Sequence, residues 1–269
     1  AQAAQQWQAN GQDASYLLRG SRLSNFAIWS DDTTVSLTAV EKTFLQTSLC
    51  ARMREQQMDD YQAYYDYVTQ GPLGAIEWSA LIERLTVRET SFMRHRPSFD
   101  RVAAHLRDRL SRPGKQSPLQ LWSVGCASGE EAYSLAIVVE QTLLETQTAR
   151  RDYGIWATDI SLKALEQGRT AHYGAGRLGG LTQNERSTWL AATAEGRHEV
   201  LPSLRERVCF SRLNILELAQ APLRDLDIIF CQNLLIYFRR WRRRDLLNLL
   251  AKRLAPGGML VIGLGEIVD

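Results

Sequence analysis

Residues Leu121 to Leu135 read LWSVGCASGEEAYSL, and few arrangements of secondary structure accommodate that order. Leu121, Trp122 and Val124 form a short apolar run that stops at Gly125. Four small residues follow, Cys126, Ala127, Ser128 and Gly129, then Glu130, Glu131 and a segment with helical spacing. A buried strand, a tight glycine turn and a helix, in that order, are how an open α/β sheet builds a ligand cleft at the carboxyl ends of its strands. Glycine lets the backbone approach a ligand with no Cβ in the way. A helix start ordinarily favours phosphate through its free N–H groups and its dipole, whereas an acid pair repels it. The loop therefore suits a ligand with a positive or hydroxyl-rich face.

The remainder of the chain organises around this unit. Apolar runs predict further strands at 155–159, 208–210, 226–231 and 259–262, with helices at about 130–148 and 242–254. Asp159 closes the second strand, where nucleoside-binding sheets hold ribose hydroxyls. Residues 173–206 break the βα rhythm with a glycine-rich loop and predict an insertion of antiparallel strands with a helix around 182–194. Upstream, the apolar spacing predicts three helices. One starts near Leu37, one opens at Asp59-Asp60 and ends at Gly71-Pro72, and one is marked by Trp78, Leu81, Ile82 and Leu85. The resulting partition is an extension over 1–36, a helical domain over 37–86, a linker over 87–118 and an α/β domain over 119–269. Arg52 and Arg54 are expected on a solvated helix face, an acidic protein partner being the alternative. The same two readings apply to the run Arg239, Arg240, Trp241, Arg242, Arg243 and Arg244.

Composition removes several classes of function. Hydrophobic residues at 45% and charged residues at 23% describe an ordinary globular chain. A net charge of +2 gives no basic field for nucleic acid. No apolar run approaches the roughly 18 residues of a membrane span, and the N-terminus lacks the basic and apolar segments of a secretory signal. Cys50, Cys126, Cys209 and Cys231 are scattered, as are His95, His105, His172 and His198. Neither a disulfide framework nor a metal site is expected, and a reducing cytoplasm fits best.

Five blocks in order then resemble the chemotaxis-receptor methyltransferases: RETSFMR (88–94), WSVGCASGEEAYSLA (122–136), ATDIS (157–161), FCQNLLIYF (230–238) and LAPGGMLVIG (254–263). The resemblance spans about residues 38–266. It implies a small N-terminal helical domain, then a Rossmann-like class I methyltransferase domain with a small inserted β-subdomain. It further implies transfer of a methyl group from S-adenosylmethionine to glutamates on the cytoplasmic domain of a chemoreceptor, with S-adenosylhomocysteine as product. Arg88, Thr90 and Arg94 would reach the cofactor from the linker, and Gly125 and Glu130 would line the loop beneath it. Asp159 would bind ribose, while Asn214 with Ile215, and Asn233 with Leu234, would flank the adenine and the methyl-transfer pocket. Arg94 and Tyr237 are the catalytic candidates, Tyr237 near the substrate entrance. The helical domain and the insertion would hold the receptor.

The chain departs from the family in carrying Arg88 where Asn is usual and Met93 where a second Phe is usual. It stops at Asp269, where the family often continues with another strand, and its N-terminal extension is similar to those of variants serving type IV pilus or surface-sensing pathways. Two further readings stand beside the enzyme: a non-catalytic S-adenosylmethionine-binding protein that docks a receptor, and a small-molecule methyltransferase.

Overall fold

The computed structural model describes residues 38–85, 89–111, 117–148 and 152–266; the 1–36 extension, Arg88 and the turn at 112–116 lie outside the described residues. The chain divides into two compact units, one of residues up to Val87 together with Tyr237–Arg239, the other of the remainder from Arg88.

In the first unit, α1 (Ala39–Glu55), α2 (Tyr61–Thr69) and α3 (Gly71–Leu85) form a small bundle. Asp60 caps α2, its Oδ2 accepting the Ala63 N–H at 2.8 Å, which satisfies one of the orphan donors of the first turn. Gly71-Pro72 does more than end α2. A proline in the first turn loses no intrahelical hydrogen bond, so α3 begins there and not near Trp78. Met53, Tyr64, Val68 and Leu81 make the core. Trp78, expected in the apolar stripe, is 42% exposed, because the face that turns inward carries Glu77 and Leu81.

Glu77 is buried and satisfied from three sides. Arg52 donates Nε to its Oε1 at 2.7 Å and Nη2 to its Oε2 at 2.6 Å, the Tyr64 hydroxyl donates at 2.6 Å, and Gln56 Nε2 donates at 3.0 Å. Arg52 is thus committed within the bundle, which corrects its expected place on a solvated face. A fork of two parallel hydrogen bonds to a buried carboxylate is costly to break, because the acid left behind lacks its counter-charge. Arg52→Ala should lower the stability of this unit by about 2 kcal/mol, a figure that discounts the partial exposure of the guanidinium. Urea unfolding followed by circular dichroism checks it; an unchanged midpoint would remove the pair from the bundle's stability.

The second unit contains, in chain order, α4 (Arg96–Ser111), β1 (Leu119–Val124), α5 (Glu130–Glu145), β2 (Tyr153–Asp159), α6 (Leu162–Thr170), β3 (His172–Tyr173), α7 (Gln183–Trp189), β4 (Leu190–Ala192), β5 (His198–Val200), α8 (Pro202–Arg205), β6 (Val208–Arg212), β7 (Leu226–Cys231), α9 (Arg240–Ala251) and β8 (Leu254–Ile262). Five strands make a parallel sheet in the order β6-β2-β1-β7-β8. Chain order reverses at β1, which pairs with β2 on one side and β7 on the other, and such a switch point opens a crevice at the carboxyl ends of the strands. All six residues of β7 are buried, as a strand covered on both faces requires.

Residues 96–111 fall in the stretch given to the linker, where Phe99, Val102, Ala103, Leu106 and Leu110 have helical spacing; they form α4 and join the core of this unit. Phe99 stacks on Phe230 with centroids 4.8 Å apart, and Val102, Leu106 and Leu110 pack beside Leu135, Val139 and Leu143 of α5. Pro97, which as a proline is expected to break an element, sits in the first turn of α4 and opens the helix instead. The insertion forms a separate antiparallel sheet, β3-β5-β4. Its helix stops at Trp189, short of the expected 194, because Leu190–Ala192 pair with β5. At the start of α9, Arg243 donates to the carbonyls of Ile236 (3.0 Å) and Gly265 (3.1 Å), so part of the arginine run is used locally. Among the described residues, no helix is long and apolar enough to cross a membrane, and no group of His, Cys, Asp and Glu could hold a metal ion.

Candidate cofactor and methyl-transfer site

The bend after β1 is set by backbone geometry. Gly125 has φ +75°, and its N–H and that of Cys126 both donate to the Thr158 carbonyl of β2, at 2.8 and 3.0 Å. A Cβ on Gly125 would lie 2.8 Å from Leu234 Cδ2, so the glycine is needed for conformation and for close approach alike. Gly129, at φ +93°, starts α5 against the ring of Phe210, which a Cβ would meet at 2.8 Å.

Asp159 at the tip of β2 fastens this loop. Its Oδ2 accepts the Ala127 N–H and its Oδ1 the Ser161 N–H, each at 2.9 Å. The Asp159 carbonyl accepts the Leu213 N–H at 3.0 Å, which brings the chain after β6 to the same edge. There Asn214 caps the 3-10 turn Ile215–Gln220, its Oδ1 accepting the Leu216 N–H at 3.1 Å, and Ile215 is buried. After β7, Asn233 takes φ +59°, a conformation that asparagine tolerates better than most residues.

The two adjacent acids of α5 face different groups. Glu130 accepts the Ser128 hydroxyl at 2.8 Å and lies 3.8 Å from Arg177. Burial lifts its carboxyl above the ordinary range, against the opposing pull of a backbone N–H, Ser128 and Arg177. Glu131 accepts the Ser123 hydroxyl at 2.6 Å. Its carboxyl is pushed up to about 8, by burial first and then by the charges of Glu266 and Asp159, while Ser123 and Arg94 pull the other way. Glu131, and not Glu130, is therefore the acid that shares a field with Arg94 and Asp159. Cys126 lies among these acids with its thiol held well above the ordinary value, by burial and then by Asp159, Glu131 and Glu130, so it is no nucleophile.

Arg94 is exposed and donates to the Glu89 carbonyl at 2.7 Å. Its segment is fixed by buried anchors: the Met93 N–H donates to Ser134 Oγ at 2.9 Å, the Phe92 N–H donates to the Arg177 carbonyl at 2.9 Å, and Phe92 packs edge-on against Tyr173. The Thr90 carbonyl accepts the Arg177 guanidinium. Tyr237 closes the 3-10 turn Leu235–Tyr237 and falls with the helical unit.

The strand ends thus bring together Gly125, Asp159, Asn214, Ile215, Asn233 and Leu234, with Arg94 bearing on them through Glu131. Glu130 turns towards Ser128 and Arg177. Sequence reasoning read the acid pair as a feature of the loop but singled out Glu130 and not Glu131, and it passed over Ser123 and Glu266. A separate groove of about 600 Å³ opens beside the loop, lined in part by Glu130, Lys163, His172, Arg177 and Arg197.

A parallel sheet with a switch point at β1, a glycine bend after the first strand and an acid at the tip of the second is the Rossmann-like arrangement that seats a nucleoside at the strand ends. Residues 88–269 match the family described as CheR methyltransferase, SAM binding domain, and residues 30–86 match CheR methyltransferase, all-alpha domain. The chain belongs to the CheR methyltransferase family and binds S-adenosylmethionine through its second part. It is 32% identical to the chemotaxis protein methyltransferase of Klebsiella aerogenes over 86% of this chain and 78% of that one. It is 28% identical to chemotaxis protein methyltransferase 1 of Pseudomonas aeruginosa, over 91% and 89%. The residues present fit the cofactor: Asp159 stands at the tip of the second strand, where nucleoside-binding sheets hold ribose hydroxyls, and the neighbouring carboxylates Glu131, Asp159 and Glu266 favour a cation.

Proposed function

We propose that this chain transfers a methyl group from S-adenosylmethionine to glutamate side chains on the cytoplasmic domain of a bacterial chemoreceptor, and that it works in the cytoplasm. The observation that carries this reading is the gathering of Glu131, Asp159 and Glu266, with Arg94 bearing on them, at the switch point of the sheet. S-adenosylmethionine, when bound, supplies a methyl group on a positively charged sulfur, so that an ionised carboxylate attacks carbon and the bonding pair leaves to sulfur. A glutamate, with a reference pKa of about 4.3, is already ionised at neutral pH, so no general base is needed. What the chain must supply is alignment and a suitable field, and alignment alone is worth several kcal/mol.

Asp159 would hold the ribose, Asn214 and Ile215 the adenine side, and Asn233 and Leu234 the wall opposite Gly125. Glu131 would favour the cationic form of the cofactor, and Arg94 would orient carboxylates at the reacting centre. Thr90, Arg88 and Tyr237 keep the roles that the resemblance implies, in cofactor binding and at the substrate entrance. Helices α1 to α3 and the β3-β5-β4 sheet are the parts proposed to hold the receptor. Arg94→Ala should cut turnover at least tenfold with the fold retained, and steady-state kinetics measure it; unaltered turnover removes Arg94 from the mechanism.

Labelled methyl transfer to a receptor-bearing membrane fraction tests the whole reading. Base-labile label on the receptor is the expected result. Absence of label despite cofactor binding would favour a docking protein without turnover, and label confined to small molecules would replace the substrate class.

A further inference from the structure

We propose that Glu266 is a positioning residue of the cofactor site, anchoring the Asn233–Leu234 bend against Gly125. Glu266 is fully buried in the turn after β8. Its Oε1 accepts the N–H groups of Leu234 and Leu235, each at 2.7 Å, and its Oε2 accepts the Gly263 N–H at 2.5 Å. Three backbone donors on one carboxylate leave the bend little freedom, since each charge-assisted bond is about twice as strong as a neutral one. The bend needs such an anchor. Asn233 sits in the left-handed region, and the Leu234 side chain must stay beside Gly125 to form the wall of the cleft.

The same carboxylate has a second effect. Glu131 is faced by Ser123 from β1, Asp159 from β2, Cys126 from the loop, Cys231 from β7, Arg94 from its own segment and Glu266 from beyond β8. The charge of Glu266 opposes ionisation of Glu131, so cofactor affinity is coupled to pH through the residue that also shapes the wall. A cationic ligand binds more tightly once Glu131 is ionised, and affinity for it should climb with pH through about 8 and level off above that value.

This inference rests on the proposed reading of the strand ends as the cofactor's seat. Calorimetric titration of S-adenosylmethionine into wild type and Glu266→Gln, from pH 6.5 to 9, tests it. The variant should bind about tenfold more weakly on the plateau, and its midpoint should move acidward by about half a pH unit. A purely structural loss would weaken binding without moving the midpoint, and that result overturns the proposal, as does wild-type behaviour. A wild type that binds nothing overturns the cofactor reading itself and this inference with it. Should Glu266→Gln fail to fold, Gly263→Ala serves, because its Cβ would lie 2.8 Å from Glu266 Oε2 and displace the carboxylate. The same plateau loss and acidward midpoint are expected, and unchanged affinity or an unmoved midpoint counts against the proposal.

Discussion

Asp159→Ala should weaken S-adenosylmethionine binding by at least about a hundredfold. Two hydroxyl donors on an ionised acceptor are worth about 1.5 kcal/mol each, and about 3 kcal/mol converts to slightly more than two decades of affinity. The loss is compounded locally, because Ala127 and Ser161 each give an N–H to this carboxylate and the glycine loop depends on the first of them. Asp159→Asn keeps one carbonyl oxygen and should fall between the alanine variant and wild type. Calorimetry with both variants checks the order. An alanine variant that binds as wild type would mean that the acid at the tip of β2 serves the loop alone.

Glu131→Gln should cost about 2.5 kcal/mol of cofactor affinity, near seventyfold, by removing a part-buried charge that faces a cation. The pH response gives the sharper test. In the cofactor-free protein the Glu131 carboxyl sits at about 8, against an ordinary 4.5. The folded protein therefore keeps a proton that the unfolded chain has lost between those values, and its stability declines as pH rises through that window. Binding a cation displaces the proton, so wild-type affinity should increase from pH 6.5 to about 8. Glu131→Gln should flatten that rise, whereas Glu130→Gln, whose carboxylate answers to Ser128 and Arg177, should leave it in place. A flat profile in Glu130→Gln with a normal one in Glu131→Gln would reverse the assignment.

These neighbouring acids show where sequence reasoning reaches its limit. The pair at the helix start was legible as a functional feature, yet adjacent helical residues point about 100° apart and nothing in the order of letters says which faces the cleft. Packing decides it, through Ser123 on one side and Ser128 on the other. The five strands were legible because buried parallel strands read as unbroken apolar runs, as in Leu226–Cys231. The insertion was legible as antiparallel strands with a helix, but its strands could not be placed, since runs of two or three residues such as His172–Tyr173 are too short to show a period. Glu77 hid the inward face of α3 by placing a charge where the pattern wants an apolar residue, and its compensation by Arg52 comes from another helix. Glu266 was invisible for the same reason: its worth lies in three backbone donors, two of them more than thirty residues upstream in the chain, at Leu234 and Leu235.

The most direct test of the account is a titration of the purified chain with S-adenosylmethionine and with S-adenosylhomocysteine, each at pH 7 and pH 8.5. The account predicts that both bind and that the charged sulfonium compound gains more affinity on the rise in pH than its neutral-sulfur counterpart. Heat changes indistinguishable from dilution for both compounds would contradict it.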